Sequence, residues 1–301
     1  MAVTSPTKSR RHHQTREPDM PTPKPARTIG GRRLPNLPGS LGAWLWLAVI
    51  ILPIYYVIIT SFKPRAGFFR TNPLWVPDPT LENYALVLQN DFLRYFANSL
   101  IVTVGSVLPA LLVSFMATYA IVRGKTKFLG MANRLFLLGL AIPLHATIIP
   151  IYYMVGKMHL YDTLLALILP SIAFAIPISV LILSSSMRNV PNELFESMRL
   201  DGCSDWTMMW RLALPMTRPA VVTVGIYNAL QVWNGFLFPL VLTQSPELRV
   251  LPLSLWAYQG QFGSNIPAVL AAVVLATLPL VVLYVVARRQ LVGGLAAGFS
   301  K

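Results

Sequence analysis

The chain has 301 residues, of which 54% are hydrophobic and 12% charged, and its mean hydropathy is +0.57. That balance excludes a soluble two-domain protein of this length and points to a polytopic membrane protein. The net charge of +14 would suit a nucleic-acid binder, but in so apolar a chain it reports the basic bias of cytoplasmic loops.

A single cysteine, Cys203, excludes an internal disulfide, and apart from the adjacent His12 and His13 the four histidines lack metal-ligand spacing. Neither redox nor metal chemistry is indicated. Residues 1–40 carry eight Lys or Arg among Pro, Ser and Gly without apolar periodicity, which predicts a disordered basic arm. Membrane lipid, through anionic headgroups, is a plausible contact for it. The arm is too long and polar for a signal's n-region, and no A-x-A-like exit follows, so the next apolar run is read as an uncleaved span.

That run, Leu41–Phe62, has 22 uncharged residues with Pro53 inside, about 33 Å of helix. Residues 63–95 form the longest outer loop. The second span, Phe96–Val122, places Ser99, Thr103, Ser106 and Ser114 on one face, a pattern of close helix packing more than of pore lining. Arg123, Lys125 and Lys127 follow as a short basic turn. Gly124-Lys125-Thr126 ends like a phosphate-binding loop, but Tyr119 stands where such a loop needs glycine, so no nucleotide site is visible. The third span, Ala132–Met154, is broken by Pro143 and Pro150 and contains His145. An ionisable group inside a span is a functional candidate, and a neutral, hydrogen-bonded histidine near the interface fits equally. The fourth span is Thr163–Ser185.

A polar interruption, Pro191–Pro219, comes next. Leu194, Phe195 and Met198 fall at helical spacing, with Glu193 and Glu196 in the opening turns. Asp201-Gly202 marks a corner, since glycine accepts the positive φ of a tight turn. A second amphipathic piece, capped by Ser204 or Asp205, sets Trp206, Met209, Trp210 and Ala213 on one side, and Pro215 and Pro219 are expected to end it. Two short helices around a glycine corner between spans make a docking element; on pattern alone, a helix resting on lipid also fits. The fifth span, Ala220–Leu242, is the most polar at its centre. Tyr227, Asn228, Gln231 and Asn234 lie within about 120° of arc. Amides at that depth either stitch helices together or line a polar path, and the pattern leaves both open. The sixth span, Ile266–Ala287, contains Pro279. The fold class expected is all-α, with six transmembrane helices and a helix–turn–helix loop.

The interruption resembles the EAA loop of ABC-importer permeases, of the form P-x-E-L-x-E-A-A-x-x-D-G-A, then an aromatic-rich turn and L-P-x-x-x-P. Pro191, Glu193, Leu194, Glu196, Asp201, Gly202, Leu214, Pro215 and Pro219 match, while Ser197, Met198 and Cys203 replace alanines. Four further stretches are similar to the maltose-type carbohydrate class: Pro77 to Tyr84, Trp233-Asn234 through Phe236 to Pro239-Leu240, residues 249–263, and the tail with Gly294, Gly298 and Lys301. The resemblance covers residues 41–301. It implies a permease subunit of an ATP-driven carbohydrate importer in the bacterial inner membrane, with the sugar as substrate. The implied partners are a second permease (a heterodimer), a cytoplasmic ABC ATPase dimer that binds ATP and Mg, and an extracellular or periplasmic sugar-binding protein. The chain itself would be no enzyme and carry no cofactor. In that picture Glu193, Leu194, Phe195, Glu196, Met198, Asp201, Gly202, Trp206, Trp210 and Pro215 couple to the ATPase, and Tyr227, Asn228, Gln231 and Asn234 are candidates for the sugar path.

With the amino terminus inside, segments 1–40, 123–131, 187–218 and 288–301 together with Arg134 hold 19 of the 25 basic residues. Both termini and the docking loop are therefore expected in the cytoplasm. The alternatives are a permease of this kind for a peptide or a phosphorylated polyol, an ion-coupled secondary transporter, and a membrane-embedded enzyme. The secondary transporter expects carboxylates near the midplane, and the six expected spans contain no Asp or Glu. The enzyme needs a nucleophile–base or metal constellation, which the scattered histidines and lone cysteine do not supply.

Overall fold

The computed structural model describes residues 37–66, 68–70, 72–255, 259–260 and 263–299, with side chains of the last helix as far as Val285. The basic arm up to residue 36, part of the stretch 249–263, and Lys301 lie outside the described residues. The chain divides into two units, residues 1–49 and 50–301. The described part of the first is the opening of α1 (Leu37–Ser61), an apolar helix without a charged residue.

In the second unit, the remainder of α1 exposes Ile50, Leu52, Ile54 and Ile58, which suits an apolar surround. The expected outer loop is folded. Lys63 is buried, and its ammonium donates to the Asn72 and Pro73 carbonyls at 2.7 and 3.2 Å. The Asn83 amide donates to the Ser61 and Lys63 carbonyls, both at 2.8 Å. A 3₁₀ turn (Phe68–Arg70) and α2 (Glu82–Gln89) occupy this segment, and α3 (Phe92–Arg123) begins earlier than the expected span.

α3 lies along α6 (Leu165–Arg188) and α9 (Leu214–Trp233). Ser99, Thr103, Ser106 and Ser114 are all buried, and the Ser106 hydroxyl donates to the Ile168 carbonyl at 3.4 Å. The face of small hydroxyl residues is thus a packing seam, as its sequence pattern implied. The third expected span is not one rod. α4 (Lys127–Gly139) is bent by 97° from the following piece, a 3₁₀ turn (Leu144–Thr147) that runs into α5 (Ile148–Lys157), about a break that contains Pro143. Proline has no N–H to continue a ladder and biases the residue before it away from helix, so the rod ends there. His145 is exposed in that turn.

After α6 come α7 (Asn192–Leu200) and α8 (Asp205–Met208), which leads into α9. The fifth expected span divides: α9 stops at Trp233, and α10 (Leu237–Leu242) follows a break at Asn234–Phe236. α11 (Leu251–Ser254) and the two-residue antiparallel strands β1 (Gln259–Gly260) and β2 (Gly263–Ser264) precede α12 (Ile266–Phe299). α12 continues past the expected span end, so Gly294 and Gly298 lie within helix. Among the described residues the architecture is all-α apart from that short pairing. Among the described residues four helices are long and apolar enough to cross a membrane, namely α1, α3, α6 and α12, or five if the bent α4–α5 pair is one span.

Near the start of α3 the loops are tied by side chains. The Asn98 amide donates to the Glu247 and Arg249 carbonyls at 2.7 and 3.0 Å, and the Leu251 N–H donates to the Ser99 hydroxyl at 2.8 Å. Asp162, at φ 59°, accepts from the Ser245 hydroxyl and from the backbone N–H groups of Gln244 and Ser245 at 2.8 and 3.0 Å. The Ser245 hydroxyl first, then the two N–H groups, holds the Asp162 carboxyl below its ordinary value. A carboxylate depressed in the folded state stabilises fully above its unfolded value of about 3.9, and that contribution is lost as pH falls through the lower folded value. Asp162→Asn, which tolerates the same left-handed backbone, should therefore melt lower than the native chain in detergent, by about 2–4 °C per kcal/mol lost. Differential scanning calorimetry should find that gap constant from neutral pH down to about pH 5 and closing below about pH 4.

Candidate functional site

The polar interruption folds as two short arms around a corner. Glu193 sits in the first turn of α7, where the helix presents its positive end. At the other end the Gly202 N–H bonds the Arg199 carbonyl at 3.1 Å and the Cys203 N–H bonds the Met198 carbonyl at 2.9 Å, the paired bonds of a Schellman stop. Gly202 has φ +80°, and a Cβ there would meet no atom within 4 Å. Backbone conformation, not crowding, demands glycine. Ser204 then caps α8, its hydroxyl accepting the Thr207 N–H at 3.3 Å. An Arg199–Asp205 ion pair of 2.9 Å bridges the corner, but both side chains are 68% exposed and it contributes little.

Pro215 and Pro219 do not end the second arm, contrary to expectation. Pro215 brings no N–H to the Arg211 carbonyl, and its ring crowds that position. The chain answers with a π turn over Met209–Ala213, in which the Leu214 N–H bonds the Met209 carbonyl, and the helix continues as α9. Arm and span are one continuous helix.

Burial corrects the expected docking face. Phe195 is 7% exposed and packs with Tyr119, Met187, Met208 and Met209, while Met198 and Trp210 lie partly against the same cluster. These three residues root the two-armed lever in its own chain. Leu194 (39% exposed), Trp206 (60%) and Leu200 (90%) face outward, alongside exposed Glu193, Glu196 and Asp201. Leu200 was not expected there. Its signal is an apolar residue at i+4 from Glu196 and i+3 from Ser197, on the polar stripe. Arg123 was also missed, being read only as part of a basic turn. Its guanidinium lies 3.7 Å from the centre of the Phe195 ring and donates to the Asn192 side-chain oxygen at 2.6 Å.

A cavity of about 420 Å³ opens between α3, α6, α9 and the end of α4, lined in part by Ser171, Phe174, Tyr227, Gln231, Phe236 and Phe238. Rings there offer apolar faces, and the amide and hydroxyls offer donors and acceptors. The polar arc of the fifth span separates into three roles. Asn228 lines the cavity but is buried and donates to the Ser179 hydroxyl at 2.8 Å, stitching α9 to α6, while Tyr227 and Gln231 line it and remain exposed. Asn234 borders a separate groove and donates to the Leu230 carbonyl at 2.8 Å, closing α9. His145 does not line the cavity. Among the described residues no three His, Cys, Asp or Glu side chains converge as a metal site.

Asn228→Leu removes a buried hydrogen bond and should cost about 1–3 kcal/mol, read as a lower melting temperature of the purified chain. Gln231→Leu, on an exposed position, should change it by no more than about 0.5 kcal/mol.

Residues 85–294 match the family described as binding-protein-dependent transport system inner membrane component. The chain is 40% identical over 258 residues to "Putative ABC transporter permease protein ORF2" of Caldicellulosiruptor sp. (strain Rt8B.4), covering 85% of this chain and 94% of the relative. It is 32% identical over 281 residues to the diacetylchitobiose uptake system permease protein DasC of Streptomyces coelicolor (strain ATCC BAA-471 / A3(2) / M145), covering 91% and 99%. Its fold is similar, with a TM-score of 0.75 at 19% identity, to a chain in the crystal structure of a bacterial ABC transporter involved in the import of the acidic polysaccharide alginate; the match covers 84% of this chain and 95% of that one. The matched residues take in both the two-armed lever and the polar arc, and the chain belongs to the binding-protein-dependent transport system inner membrane components, the permease subunits of ABC transporters.

Proposed function

We propose that this permease carries a neutral carbohydrate inward, its cavity forming part of the sugar path and its two-armed lever coupling that path to a cytoplasmic ABC ATPase. The chain is a transport subunit and not an enzyme; ATP and Mg belong to the ATPase dimer. One observation carries the reading: Leu194, Leu200 and Trp206 stand exposed among carboxylates on a corner whose second arm is continuous with the helix lining the cavity. An apolar centre with a charged rim is what a partner buries. A second permease, most simply a different chain, completes the path, and a sugar-binding protein delivers substrate from outside. The uptake activity named for the DasC relative supports carbohydrate. The cavity lining agrees, since among the described residues it contains no charged side chain, which disfavours a peptide's termini or a phosphorylated polyol.

The membrane arrangement proposed is six crossings, with the α4–α5 pair and α9–α10 as broken spans and both termini in the cytoplasm. Cys203 is the single native thiol and lies in the lever. An impermeant maleimide should label it in inside-out vesicles and not in intact cells, and labelling of intact cells would refute the orientation.

Coupling is tested at Gly202. Gly202→Val forces a β-branched residue to positive φ at a strain of about 1–3 kcal/mol, which the lever escapes by re-aiming its outer face. Uptake of tritiated oligosaccharide by reconstituted complexes should fall to background. Glu196→Lys should leave the fold intact and oppose a basic rim on the ATPase. An acidic substitution on the ATPase side should then restore uptake in the Lys variant but not in the Val variant. Normal ATP-driven uptake with Gly202→Val would sink the assignment.

A further inference from the structure

We infer that the last turn of α3 is the seat that sets the angle of the lever, and that Arg123 is the positioning residue of that seat. The lever is attached to α6 at one end and, through the continuous helix, to α9 at the other. α3 supplies a third attachment. One N–H-bearing nitrogen of Arg123 donates to the Met187 and Val190 carbonyls at 3.0 and 3.1 Å, and another donates to Asn192 at 2.6 Å. Those carbonyls belong to the end of α6 and the residues just after it, where the helix presents its negative end and a cation is favoured. The face of the same guanidinium covers Phe195, centred 3.7 Å away.

Tyr119 lies one turn earlier on the same face of α3. Its ring is 6.4 Å from that of Phe195, and its hydroxyl is 3.5 Å from the Asp205 carboxylate on the second arm. A single helical turn therefore touches the end of α6, the first arm and the second arm. The geometry needs a planar fork that stacks and donates along its edge at once. Lysine has the charge but neither the plane nor the fork.

This inference rests on residues 191–213 being the ATPase-coupling element. The test uses whole complexes in proteoliposomes with the binding protein and a pooled tritiated digest of chitin and starch as probe. In Arg123→Lys, uptake per complex should fall by about ten-fold or more with KM unchanged, while basal ATP hydrolysis stays within about two-fold. Phe195→Leu should behave alike, the double variant should be no worse than either single one, and Phe195→Tyr, which keeps the ring, should restore native coupling. A native ratio of ATP to sugar in the Arg123→Lys and Phe195→Leu complexes would overturn the seat. Should Arg123→Lys fail to assemble, equal losses in Phe195→Leu and Phe195→Tyr would overturn it instead. Native uptake with Gly202→Val would remove the coupling reading beneath it, whereas a dead Gly202→Val beside a native Arg123→Lys removes the seat alone.

Discussion

How closely α3 can approach α6 governs the rest of the molecule. In an apolar surround two helices gain little by excluding lipid, so they are held by van der Waals contact and by hydrogen bonds across the seam. α3 meets that need with Ser99, Thr103, Ser106, Ala110 and Ser114 buried in succession. At Gly105 a Cβ would lie 3.0 Å from Ile168 Cδ1, so even an alanine there would need that side chain to give by a few tenths of an ångström. The cavity wall, with Val102 of α3 and Leu167 and Ser171 of α6, and the cluster of Phe115, Leu183 and Met187 both draw on the two helices together.

Stiffness and compliance are placed differently in the lever. Its corner is held by backbone geometry: the Schellman bonds, the positive φ of Gly202 and the Ser204 cap. The bed beneath it is rich in methionine, with Met187, Met208 and Met209 buried and Met198 packed against them. Unbranched thioether side chains repack at low cost. The corner can thus keep its shape while its bed accommodates different seatings.

Much of this was legible in the sequence. The glycine corner and the small-hydroxyl seam rest on local backbone or periodicity, and both took the form their residues implied. What was not legible depends on contacts distant in sequence. An apolar stripe does not say whether its occluder is a partner or the chain itself, so Phe195, Met198 and Trp210 looked like a docking face. Arg123 is one cation in a basic turn until α6 and α7 arrive beside it. Pro215 breaks an α-helix by rule, but one wide turn absorbs it. The amides of the fifth span looked alike because the pattern could not show Ser179 opposite Asn228. The bend between α4 and α5 was signalled by Pro143, but its 97° was not.

The π turn has a mechanical consequence. A loop between arm and span would transmit only tension, whereas an unbroken helix transmits torque. Trp206 and Tyr227 are 21 residues apart on one continuous helix, about 31 Å of axis. A roll of about 20° imposed at Trp206 reaches Gln231 as a similar roll, and a side-chain tip some 5–6 Å from the axis then sweeps about 2 Å. That is enough to turn Tyr227 and Gln231 toward or away from the aromatic residues across the cavity. A partner that gripped the arm and rolled it would carry the cavity wall round with it.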